Sequence, residues 1–262
     1  VQTAARPLGD QIKEWRRRRR LSQMDLALDA EISTRHLSFI ETGRSRPSRE
    51  MVLRLADQLA LPLRERNAML LAAGFAPLYA ERALDDPALA AARRAIDLVL
   101  KGHEPWPAVA IDRHWHLIAA NAAIKPLLAG CAAHLLEGPI NVLRLSLHPE
   151  GLAPRILNLA EWRAHLLERL RRQAMTTGDS GLEALVAELE AYPFPDGAGQ
   201  AEDMGGFAIP LRLATPLGEL SLISTTTVFG TPLDVTLDEL AIEAFYPADA
   251  ITGERLRGLS GG

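Results

Sequence analysis

Four side chains, Thr34, Arg35, Ser38 and Phe39, have the types and spacing to read a nucleic-acid duplex. If a helix begins after Ser33 and turns Leu37 and Ile40 inward, these four are left on its outer side, mostly near the N-terminal end with which a recognition helix touches base edges. Phe39 can offer only apolar contact, for instance with a thymine methyl.

Elsewhere the chemistry-bearing residues form looser sets. His114 and His116 make an H-x-H, with Cys131, His134 and His148 downstream, and a zinc site wants a closed set of N or S ligands. One H-x-H lacks the paired spacing of structural sites, and on a strand both rings share a face as any surface pair would, so neither a metal nor a cofactor is expected. A ligand cavity needs apolar walls and a few polar anchors. Val109, Ile118, Leu220 and Leu222 are candidate walls, and Asn121, Arg144 and His148 candidate polar contacts, the last two for a carboxylate head group. Plain core packing accounts for the apolar four as simply, a structural cap for Asn121, and backbone bonding for Arg144 and His148. No G-x-S-x-G, H-E-x-x-H, G-x-x-x-x-G-K or G-x-G-x-x-G occurs, and the acidic pairs Asp85-Asp86 and Asp238-Glu239 fall at predicted helix starts, so an enzyme is not expected.

The elements that must position the first set are legible. Ser22 with Asp25 three residues on resembles a capping box and starts a helix at Gln23, while Ser33 caps the next one and Ile32 can staple onto Leu37. Gly43 ends that helix at a position that favours positive φ. Before the pair, Leu8, Ile12 and Trp15 recur at helical spacing and lead into five arginines, Arg16 to Arg20, which wrap the cylinder and cannot all face one phosphate track. After it, Ser48 caps a fourth helix with Val52, Leu53, Leu55, Ala56 and Leu59 inward, and Pro62 separates a fifth, Leu63 to Ala73. The pattern then loosens from Phe75 to Asp86, which predicts domains at residues 1–80 and 81–262.

Charge supports that division. The net of −4 splits into 14 Lys/Arg against 9 Asp/Glu in residues 1–80 and 15 against 24 in the remainder, so the positive field that phosphate binding requires is confined to the first third. A composition of 48% hydrophobic and 24% charged residues is that of a globular chain able to bury a full core. With no apolar run near 20 residues, no secretory leader and one cysteine, a cytoplasmic protein without membrane partners is expected.

In the second half, Leu89, Arg93, Ile96 and Leu100 predict a connecting helix. Pro107 to Ile111 with His116 to Ala120, and Phe207 to Ala214 with Glu219 to Phe229, predict two hairpins; Asn121 is placed to cap the helix after the first. Between them lies mainly helix, with Leu159, Trp162, Leu166 and Leu170 on one stripe. Asp196 to Gly206 reads as a glycine-rich loop, and Thr236 with Glu239 as the capping box of a last helix that Pro247 interrupts or ends. Two hairpins with helices between them predict an α+β layout.

Leu21, Ser22, Gln23, Leu26, Ala27, Ile32, Ser33, Leu37, Ser38, Ile40, Glu41, Gly43, Arg44, Pro47 and Ser48 together resemble the lambda-repressor-like helix-turn-helix of the XRE family. The resemblance implies an all-α five-helix DNA-binding domain in which Gln23 bonds a phosphate while bracing the reader helix, Thr34, Arg35, Ser38 and Phe39 face bases, and Arg44 touches the backbone. Phe39 departs from the polar residue often found there. The expected DNA-binding set is Gln23, Ser33, Thr34, Arg35, Ser38, Phe39 and Arg44. Residues 86–252 resemble the ligand-binding domain of MmyB-like transcription regulators, on Pro107-Ala108-Val109 with Asn121, on Asn141 to Leu145 with His148-Pro149-Glu150, and above all on TPLDVTLDELAIEAFYPADAIT, Thr231 to Thr252. That resemblance implies a PAS-like α+β fold with an antiparallel sheet and a cavity for an apolar, fatty-acid-like small molecule; the expected ligand set is Val109, Ile118, Asn121, Arg144, His148 and Leu222. The reading is a ligand-responsive transcription regulator that binds double-stranded operator DNA as a homodimer. The alternative is a repressor or antitoxin-type protein whose C-terminal domain serves only dimerisation or a protein partner.

Overall fold

The computed structural model describes residues 6–193, 209–230, 232 and 234–260. The loop expected at Asp196 to Gly206, the first residues of the second hairpin at Phe207 and Ala208, and Thr231 and Leu233 lie outside the described residues. The chain forms two compact units, residues 1–82 with 231–238, and residues 83–230 with 239–262.

The first unit is helical: α1 (Leu8–Arg18), α2 (Gln23–Asp29), α3 (Thr34–Glu41), α4 (Arg49–Gln58) and α5 (Leu63–Ala72). Three starts are set by serine hydroxyls: Ser22 accepts from Asp25 N in a closed capping box, Ser33 from His36 N and Ser48 from Met51 N. At the end of α3 Gly43 takes φ +72°, and Gly43 N and Arg44 N donate to the Ile40 and Phe39 carbonyls, the paired bonds of a Schellman turn. Ile12, Leu26, Leu37, Ile40, Leu55, Leu59, Met69 and Leu70 are fully buried in the core. Gly9 lets α1 lie against α3, since a Cβ there would overlap the Glu41 carbonyl.

The second unit opens with a 3-10 turn at Pro87–Leu89 and α6 (Ala90–Gly102), followed by β1 (Ala108–Ile111) and β2 (Leu117–Ala120). Helices α7 (Val142–Leu147), α8 (Leu159–Thr177) and α9 (Ser180–Glu190) come next, then β3 (Leu211–Thr215) and β4 (Gly218–Val228). A single helical turn, α10 (Val235–Asp238), separates these from β5 (Ala241–Pro247) and α11 (Ala250–Ser260). The sheet is antiparallel throughout, in the order β2-β1-β5-β4-β3. Leu213, Leu220 and Leu222 from the sheet meet Leu166, Leu170, Leu182 and Leu189 from α8 and α9 in one core.

The structure corrects two expectations. The helix expected from Thr236 lasts one turn, and AIEAFYP is instead the central strand: β5 joins the two hairpins by pairing with β1 on one side and β4 on the other. Its backbone groups gain ladder partners on both edges, and this tertiary pairing overrides a capping pattern that Asp234, whose carboxylate accepts from Thr236 N, in fact supplies. Asn121 precedes a 3-10 segment, Ala122–Leu128, without a side-chain cap bond. Its amide serves backbone instead, accepting from Ala108 N and donating to the Leu100 and Trp106 carbonyls.

The connection between β4 and β5 belongs to the first unit, and nothing in the sequence pattern marks it. Ala80 and Asp234 form a parallel bridge, Val235 N donates to Ala80 O at 2.8 Å, and the buried Asp234 carboxylate accepts from Arg82. Asp238 Oδ2 accepts from Leu63 N at 3.2 Å. Pro62, the N-cap residue of α5, has no side chain for that purpose, so the strap caps a helix that its own sequence leaves uncapped.

Candidate DNA-binding face and ligand cavity

The first unit holds α3 by a buried ion pair. Glu41, on its last turn, receives Arg16 Nε at 2.7 Å and Nη2 at 3.1 Å from α1, and Gln23 Nε2 at 2.7 Å from α2. Burial alone would raise the Glu41 pKa, but the Arg16 and Gln23 hydrogen bonds and the nearby positive charge hold it below the ordinary carboxylate value. Gln23 thus braces α3 through Glu41. Thr34 and Arg35 are exposed and Ser38 and Phe39 half-buried, with the Arg35 guanidinium 5.3 Å from the Phe39 ring centre. Ser33 spends its hydroxyl on the helix cap.

The arginine run divides by partner. Arg16 serves Glu41 and the Leu21 carbonyl, Arg18 pairs with Glu14, and Arg19 donates to the Leu59 and Ala60 carbonyls. Arg17, Arg20 and Arg44 are exposed and have no hydrogen-bond or ion-pair partner among the described residues. These cations, with Arg35, are available to phosphates or base edges at no cost to the fold.

The second unit contains an apolar cavity of about 110 Å³ between the sheet and the helices. Val109 and Leu222, both expected, are on its wall, together with Trp115, Leu117, Leu143 and Trp162. Ile118 is not: an irregularity in the pairing at Ala110/Ile111 sets Leu117, not Ile118, opposite Ile111, so Leu117 takes the place on the wall and Ile118 is exposed. Asn121 is committed to backbone groups and does not reach the lining. Arg144 makes a bidentate ion pair with Glu188 of α9, at 2.7 and 2.8 Å. That pairing raises the Arg144 pKa and lowers that of Glu188, while burial and the hydrogen bond to Glu188 push the Tyr192 phenol up to about 12. His148 packs edge-on to His134 and Tyr192, and its Nδ1 accepts from Glu150 N. Neither Arg144 nor His148 lines the cavity.

The polar groups that do line it are Arg169, Glu243, Ser146 and Ser224. Arg169 donates to both Glu243 oxygens and, at 2.7 Å, to Thr226 Oγ1, with its guanidinium 4.6 Å from the Trp115 ring centre. Arg169 was legible in principle, since it follows Trp162 and Leu166 on the buried stripe of α8, where a cation needs a partner. Beside it His165 stacks on Trp162, and burial, followed by the charge of Arg169, lowers its pKa.

Residues 92–259 match the family model of the MmyB-like transcription regulator ligand binding domain. The chain belongs to the MmyB-like transcription regulator family. Residues 7–69 match a helix-turn-helix domain, the segment that carries α2 and α3. No curated protein matches the chain. An MmyB-like regulator with a helix-turn-helix unit is a DNA-binding transcription regulator, and its second unit is a ligand-binding domain. Among the described residues no helix is long and apolar enough to cross a membrane.

Proposed function

We propose that this regulator reads operator DNA through the outer face of α3 and switches its DNA affinity when an elongated, fatty-acid-like molecule occupies the cavity of the second unit. The observation that carries the reading is the cavity's composition: nearly all wall residues are apolar, and its one cation, Arg169, keeps Nε–H without an acceptor among the described residues. A slender apolar chain suits those walls, and a carboxylate can share the guanidinium with Glu243. The volume is small beside the several hundred Å³ of a typical small-molecule pocket, so the ligand enters by displacing flexible wall side chains such as Leu128 and Leu152.

In this reading Thr34, Arg35, Ser38 and Phe39 contact bases, while Gln23, Ser33 and Arg44 lie along the phosphates, and a homodimer places two α3 helices on half-sites about one helical turn apart. The cavity's Leu222, Ser224, Glu243 and Phe245 lie on β4 and β5, whose connection packs in the helical unit, so a ligand that favours one arrangement of these strands biases the strap. The test is fluorescence anisotropy of an operator selected from a random duplex pool, with and without dodecanoic acid. A change in Kd of about fivefold or more supports the reading. An unchanged Kd with the acid demonstrably bound contradicts it.

A further inference from the structure

The turn that joins β1 to β2 gathers three donors that spacing alone did not group. Asp112, His114 and His116 alternate along the chain, and one ligand atom from each lies within 4.8 Å of the others. The Asp112 carboxylate divides its oxygens: Oδ1 accepts from the His114 and His116 backbone N–H groups, both at 2.8 Å, while Oδ2 lies 3.0 Å from His116 Nδ1. His114 Nε2 faces Asp179 Oδ2 at 2.8 Å. All three donors are half-buried, with a side open to solvent.

We propose that Asp112, His114 and His116 form a divalent transition-metal site, of the N, N, O composition that zinc accepts, with water in the open position. Ligands about 2.0–2.2 Å from zinc in tetrahedral array are roughly 3.3–3.5 Å apart, so the set closes by side-chain movement of about 1 Å with the backbone in place. The backbone is already held. Gln173 accepts from Trp115 Nε1 and donates to the Arg113 carbonyl, Asn141 donates to the His114 carbonyl, and Trp115 itself sits at φ +66°, a conformation costly for a bulky side chain. Asp179 supplies the carboxylate that metal sites place against a bound imidazole to fix its tautomer. Arg113, between His114 and Asp112 in the chain, lies 3.4 Å from Asp179 and 3.6 Å from Glu239, so two carboxylates offset its charge. The Trp115 indole between the two histidines lines the ligand cavity, so an occupied site fixes one wall of it.

The experiment is calorimetric titration of the chelator-treated full chain with Zn²⁺, repeated on His114→Ala/His116→Ala and on His134→Ala/His148→Ala. The second pair is the control, because His134, His148 and Glu150 form a more exposed cluster. One site per chain is expected, weakened at least tenfold in the first variant and kept in the second. Equal affinity in wild type and the first variant, or loss confined to the second, overturns the proposal. Should the first variant fail to fold, carbethoxylation of the wild type decides: Zn²⁺ protecting His114 and His116 supports the site, and unchanged reactivity of both overturns it.

Discussion

Arg35 and Arg44 carry the same charge, but in the proposed DNA reading their surroundings suit them to different tasks. Arg35 stands on the second position of α3 with its guanidinium beside Phe39, a placement from which an arginine can make paired bonds to guanine. Arg44 follows the helix, in the turn that Gly43 closes. Arg35→Ala is expected to lose roughly 1–3 kcal/mol of discrimination between operator and random DNA, whereas Arg44→Ala weakens both alike and lowers the salt slope by about 1. Equal losses on both duplexes for Arg35→Ala would remove it from the base-reading role. Glu41 makes a second residue-scale prediction, through pH. Its folded-state pKa lies below the ordinary 4.5, so its ion pair stabilises the helical unit fully above that value and the contribution is lost as pH falls from there through the folded value. Calorimetry of the full chain should show the melting of the helical unit falling below about pH 4.5; Glu41→Gln should melt lower at pH 7, with a shallower fall on acidification. Breaking such a buried pair costs about 3–5 kcal/mol. The signal for Glu41 was present in the sequence only as a motif position; that it would be buried, and paired with one arginine of a run of five, depended on α1 reaching α3 over Gly9.

Elements with a local signal were readable and elements made by distant pairing were not. Ser22, Ser33, Ser48 and Gly43 act within their own turn, and they set helix ends where their chemistry places them. The strand β5 has a helix-opening pattern just ahead of it and no strict alternation, since Ile242, Glu243 and Ala244 are all buried. Only partners on both sides make it a strand. Ile118 failed for a related reason: one irregularity in the β1–β2 pairing sets Leu117 in its place opposite Ile111, and no window of sequence shows it. The strap is the extreme case, because Asp238 caps a helix 175 residues earlier. Asp238→Ala is expected to destabilise the helical unit by about 1 kcal/mol, the worth of an N-cap, while leaving the second unit's melting unchanged. A loss seen only in the second unit would show that the cap bond does not hold α5.

Over the whole molecule, the charge asymmetry and the two-part composition were visible from counting, because they require no knowledge of contacts. The path of the chain was not. It passes from the first unit to the second, returns for residues 231–238, and ends in the second, so the strands bearing part of the cavity wall are covalently continuous with the helical unit at both ends of that segment. The cavity was expected through the family resemblance, yet its polar end is Arg169 with Glu243, residues 74 apart on a helix and a strand that the pattern never juxtaposed. If this cavity takes an elongated apolar guest, two of the four tryptophans, Trp115 and Trp162, stand on its wall to report it. Titrating the full chain with dodecanoic acid below its aggregation limit, while following tryptophan emission, tests that directly. A saturable change at one molecule per chain is expected, and Leu222→Phe, which fills the wall, abolishes it; no saturable change, or the same change in the filled variant, would contradict an elongated apolar guest in this cavity.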